Sequence, residues 1–69
     1  MQKMIRLNVN TDIYSTDNIL KAVDAHRNLA KIQILRKRKI TKIVFWNCKY
    51  DEERTVREFE NYLIGLENL

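Results

Sequence analysis

Ile43, Val44, Phe45 and Trp46 are four consecutive apolar residues, two of them β-branched and two aromatic. Successive side chains of a strand point to opposite faces, so this run places apolar surface on both. A strand of that kind belongs at the centre of a sheet, between two others, rather than at its edge. Helices can cover one of its faces. Either Ile43 and Phe45 or Val44 and Trp46 are then left on the other.

The remaining elements fall around this strand. Ile5, Leu7 and Val9 alternate with Arg6, Asn8 and Asn10, the period-two pattern of a half-buried strand. Ile32 and Ile34 alternate in the same way with Lys31 and Gln33. Arg36-Lys37-Arg38-Lys39 is the natural hairpin into the apolar strand, although it lacks the glycine or asparagine that tight turns favour, which leaves its turn type open. Between the first two strands the spacing predicts a helix from about Thr16 to about Ala30, capped by Ser15, with Asp17 at the positive end of its dipole. Its apolar positions Ile19, Ala22, Val23, His26, Leu29 and Ala30 recur at steps of three and four and share a face. A last helix opens at Tyr50 or Asp51, with Glu52 and Glu53 in its first turn. It carries the stripe Val56, Phe59, Leu63 and Leu66, with Tyr62 beside it. Gly65 costs up to about 1 kcal/mol in a helix interior, so the final turn is expected to fray unless Leu66 and Leu69 dock.

The order β-α-β-β-α with the apolar strand in the middle predicts an α+β fold: a three-stranded antiparallel sheet of order 1-3-2 with both helices on one face. This is a split β-α-β unit, equivalent to a ferredoxin-like domain without its fourth strand, and it occupies 1–69 as a single domain. Two consequences follow for function. The edge of the first strand is left without a neighbour, and one face of the sheet is left uncovered; both are templates for a partner. The candidate partner-binding residues are therefore Ile5, Leu7 and Val9 on the edge strand and Val44 and Trp46 on the central one. A protein, a peptide, or a second copy of the chain in a homodimer would suit them.

Composition removes most alternatives. A domain of this length buries only about 60% of the surface that its unfolded chain exposes, and the usual staples for so thin a core are disulfides, metals or oligomerisation. One cysteine, Cys48, cannot make an internal disulfide, and with one histidine, His26, it cannot supply a tetrahedral metal site without carboxylates or a second chain. Met1-Gln2-Lys3-Met4 leads into strand alternation rather than a signal segment, no apolar run approaches a membrane span, and the expected location is cytoplasmic. The sole glycine, Gly65, rules out a glycine-rich phosphate loop. Nucleophilic catalysis would pair Cys48 with His26, but His26 belongs to the apolar face of the first helix. Asp51, Glu52 and Glu53 suit a helix N-terminus without any acid/base role. The reading is a non-enzymatic protein with no cofactor and no metal.

Charge is unevenly placed. Residues 25–50 hold Arg27, Lys31, Arg36, Lys37, Arg38, Lys39, Lys42 and Lys49 without an acid, whereas 51–69 hold Asp51, Glu52, Glu53, Glu58, Glu60 and Glu67 against Arg54 and Arg57. Such asymmetry speaks of partners rather than of fold. Arg36, Lys37, Arg38, Lys39 and Lys42 are the candidate nucleic-acid-binding residues, able to neutralise phosphates beside a face that displays an aromatic side chain. The apolar strand lacks the Gly- and aromatic-rich signature of RNA-recognition motifs. A solvated hairpin that guards against edge pairing explains the same charges.

The segment Ile13-Tyr14-Ser15-Thr16-Asp17-Asn18-Ile19-Leu20-Lys21-Ala22 resembles the opening of HxsD, the small protein of His-Xaa-Ser peptide-modification systems, in which I-Y-S is followed by an acidic residue, an aliphatic residue and a K-A pair. Glu58-Phe59-Glu60-Asn61-Tyr62-Leu63 and Leu66 are similar to that family's C-terminal pattern, and the order of elements fits. The resemblance implies an accessory protein encoded beside radical SAM enzymes that modify a small substrate peptide. It assigns no catalytic residue.

Overall fold

The chain runs β1 (Met4–Asn10), α1 (Thr16–Ala25), β2 (Lys31–Arg36), β3 (Ile40–Trp46) and α2 (Glu52–Glu67). This computed structural model describes residues 3–69; Met1 and Gln2, the first residues of the segment read above as carrying no leader, lie outside the described residues. The three strands form one antiparallel sheet in the order β1-β3-β2. Ile43 and Phe45 are both 0% exposed and pack with Val9, Ile19, Ala22, Val56, Phe59 and Leu63. Both helices therefore cover the same side of the sheet, and Ile5, Leu7, Ile32 and Ile34 add their side chains to that side. Phe45 and Phe59 meet edge-on with ring centroids 5.1 Å apart, which ties the centre of β3 to the middle of α2.

The first helix is shorter than the sequence pattern predicts. It ends at Ala25 rather than near Ala30, and residues 26–29 form turns. His26 N–H donates to Val23 O, Arg27 N–H to Asp24 O, and Leu29 N–H to His26 O, the three-residue spacing of a tightened helix end. The reason is chain reversal: Ala30 must be in the core immediately before β2 begins at Lys31. His26 and Ala30 remain buried on the face that the periodicity identified. His26 is 6% exposed; its Nδ1–H donates to Ala22 O at 2.8 Å, and its ring lies 5.3 Å from Phe59 and 5.5 Å from Tyr62.

The second helix is capped by Asp51, whose carboxylate accepts from Arg54 N–H at 3.0 Å. Thr55, buried and absent from the apolar stripe, donates its hydroxyl to Asp51 O. The helix continues through Gly65 to Glu67. Leu66 docks against the core, whereas Leu69 is 100% exposed. The end of α2 also caps α1, because Ser15 N–H donates to Glu67 Oε1. That bond, followed by the Asn18 side chain, holds the Glu67 carboxyl below its ordinary value. A capping box does this within one helix; here the carboxylate comes from the other.

The hairpin turn is not one of the two types that tight hairpins favour. β2 extends through Arg36, β3 begins at Ile40, and Lys37 N–H donates to Ile40 O at 2.9 Å. Among the described non-glycine residues only Asn47 has a positive φ, of 54°. Arg38 and Lys39 therefore turn the chain without the left-handed residues of type I′ or II′ turns. Asn47 sits where β3 ends, and Lys49 N–H then reaches Leu29 O one residue out of the ladder's register. Asparagine tolerates that conformation better than most residues.

Candidate functional site

The side of the sheet away from the helices is open. Register and alternation place its side chains in rows across the three strands: Met4, Trp46 and Lys31; Arg6, Val44 and Gln33; Asn8, Lys42 and Leu35. Val44 is only 7% exposed, yet it stands outside the core cluster. Its cover comes from the open face itself, where Arg6 and Gln33 flank it and Lys42 and Trp46 stand on either side along β3. Met4, Arg6, Gln33, Leu35, Lys42, Val44 and Trp46 line a shallow trough of about 340 Å³. Met4, Leu35 and Ile40 are exposed aliphatic groups on this face.

No strand contains an acid. The nine acidic residues lie in α1, in α2 with its cap, and at Asp12 in the turn after β1. The charge asymmetry along the chain thus becomes a division in space, with a cationic sheet face on one side and an acid-bearing helical layer on the other. A face of one sign raises the local concentration of ligands of the other.

The edge of β1 is the second component. Thr11 N–H donates to Lys39 O at the end of the β1–β3 ladder, which sets the phase of the hydrogen bonds. Ile5, Leu7 and Val9 turn their backbone groups towards β3, and Met4, Arg6 and Asn8 turn theirs away from the sheet. Among the described residues no other strand pairs with β1. Asn10, in the same phase, uses its carbonyl to accept from Ile13 and Tyr14 N–H.

These positions rearrange the residues singled out in the sequence. Val44 and Trp46 are on the open face. The side chains of Ile5, Leu7 and Val9 are on the helical side, so β1 presents its outward backbone with Met4, Arg6 and Asn8 instead. Lys37, Arg38, Lys39 and Lys42 gather with Asn8 and Ile40 around a concavity at the hairpin end. Arg36 is separated from them: it pairs with buried Thr41 and alternates onto the helical side. Arg6, Lys31, Gln33 and Leu35 were missed, and the signal that finds them is cross-strand register, which a single strand's pattern does not contain.

No family model, curated protein or solved structure matches this chain. The hydrogen bond of His26 goes to its own helix, and burial, then the Glu52 carboxylate, push the Cys48 thiol above its ordinary value. The thiolate, the nucleophilic form, is thereby disfavoured. No group of three His, Cys, Asp or Glu side chains converges as a metal site among the described residues, and no described helix is long and apolar enough to cross a membrane.

Proposed function

We propose that this chain is a non-enzymatic binding domain, the small accessory partner in a peptide-modification system of the HxsD kind. It works through the edge of β1 and the open sheet face. One observation carries the reading: β1 turns the backbone of Met4, Arg6 and Asn8 outward beside an acid-free, partly apolar sheet face. Strand addition at such an edge gives affinity through main-chain hydrogen bonds and selectivity through alternate side chains. The sequence resemblance names the partners as a radical SAM enzyme and its substrate peptide.

Asn8→Pro tests the reading. The N–H that it removes points out of the sheet, so the β1–β3 ladder stays intact and the fold should be retained. Titration calorimetry against the cognate radical SAM enzyme that this reading requires, and against its substrate peptide, should show binding by the wild type and its loss in the variant. Absence of heat with both partners removes the proposal.

A second reading is favoured by the gathering of Lys37, Arg38, Lys39 and Lys42 at the hairpin end: a small nucleic-acid-binding domain. Changing Lys37, Arg38 and Lys39 to glutamine would then abolish binding of a single-stranded oligonucleotide together with its steep salt dependence. Salt-insensitive binding, or none, excludes this reading.

A further inference from the structure

The two sides of the β1 edge differ in a way that specifies what can lie along it. A strand added there runs about 4.8 Å from β1 and points alternate side chains to the two faces of the sheet. On the open face its neighbours are Met4, Arg6 and Asn8, with Lys42 behind them and the Lys37–Lys39 loop at the C-terminal end of β1, where Thr11 bonds Lys39. On the helical face the neighbours form a small groove of about 130 Å³ lined by Leu7, Val9, Tyr14 and Leu63, with Asn8 and Glu60 among its walls. Carboxylates are favoured on the first side. On the second they meet apolar side chains and like charges, Glu60 beside Leu7 and Val9 and the Asp51–Glu53 carboxylates beside Ile5 at the start of β1.

We infer that the β1 edge receives an extended acidic peptide in which acidic and aliphatic residues alternate, acids over Arg6 and the cationic face, aliphatics towards α2. This rests on the strand-edge reading above and names the chemistry of its occupant. A polypeptide satisfies the outward N–H and C=O groups of Met4, Arg6 and Asn8, which a nucleic acid leaves to water. Single strands of nucleic acid also need successive stacking platforms, and the open face provides one aromatic side chain, Trp46, set between aliphatic Met4 and cationic Lys31. A second copy of this chain laid face to face would oppose cation to cation.

The test uses the full chain, labelled for amide NMR, and a short capped peptide alternating glutamate and valine. Glutamine-for-glutamate and lysine-for-glutamate versions and a mixed-sequence single-stranded oligonucleotide are the comparisons. The glutamate peptide should shift the amides of Met4, Arg6 and Asn8, and should bind about tenfold or more tightly than either replacement peptide. Arg6→Glu should remove most of that difference; Lys31→Glu, on the far strand and also exposed, should remove less. Equal binding of the glutamate and glutamine peptides, no binding of any peptide, or tighter salt-dependent binding of the oligonucleotide each overturns the inference. If the radical SAM partner binds wild type and Arg6→Glu alike but fails with Asn8→Pro, the edge reading stands while the acidic occupant falls.

Discussion

β3 presents Ile43 and Phe45 to one side of the sheet and Val44 and Trp46 to the other, and the two pairs are chemically alike. Their surroundings are not. Ile43 and Phe45 are sealed by two helices and by each other's neighbours in the core. Val44 is nearly as well covered, but its cover is the reach of Arg6, Gln33, Lys42 and Trp46 across an open sheet. A core made of packed apolar surface cannot be displaced without unfolding, whereas a cover made largely of long polar side chains can move aside for a partner. The low exposure of Val44 therefore differs in kind from that of Ile43 and Phe45, resting on side chains that can move rather than on a packed core.

The largest expected effect separates the faces directly. Phe45→Ala should cost about 3–5 kcal/mol through lost transfer energy and the cavity left behind, comparable to what a core of this size supplies altogether. Thermal melting followed by circular dichroism should show little cooperative transition. Trp46→Ala, one residue along, should melt close to wild type. Equal loss of stability in both variants would mean that the open face is a second core and not a binding surface.

A smaller effect of opposite sign is expected on the helical side. A Cβ added at Gly65 meets nothing within 4 Å, and the backbone there is helical with no positive φ. Gly65→Ala should stabilise the domain by up to about 1 kcal/mol, read as a raised urea midpoint. Peptide binding at β1 should be unchanged. Loss of binding would show that the end of α2 and the sheet edge act together.

The smallest effect depends on pH. Because the folded state holds the Glu67 carboxyl below its ordinary value, the ionised group stabilises the fold above the unfolded carboxylate pKa, and that contribution is lost as pH falls through the lower folded value. Glu67→Gln should have a lower urea midpoint than wild type near neutral pH, and the two should converge in acid below both values. A gap that persists there would show that the substitution disturbs packing rather than removing the charge-assisted cap on Ser15.

Much of the architecture was legible in the chain. Strand periodicity located β1 and β2, the Ile43–Trp46 run identified the central strand and hence the 1-3-2 order, and Asp51 marked the start of α2. The end of α1 was not legible, because apolar spacing continues through Leu29 and Ala30 while the backbone already tightens to enter β2. The candidate site was only partly visible. Val44 and Trp46 stood out as one of two alternatives, but Arg6, Gln33 and Leu35 are ordinary exposed positions of their own strands. They become one surface only when β1 and β2 are laid against β3 in register.

Residues close together in the chain suffice for the elements, their order and the concentration of cations between 25 and 50, because each of these is a local property. Tertiary packing settles which face of β3 stays open, which cations share it, and that Arg36 is parted from Lys42. It also brings Glu67 to Ser15. All four depend on how separate elements come to rest on a shared core, and so does the outward turn of the Arg6 and Asn8 backbone, which follows from the side of β1 on which β3 lies and shows in the bond from Thr11 N–H to Lys39 O.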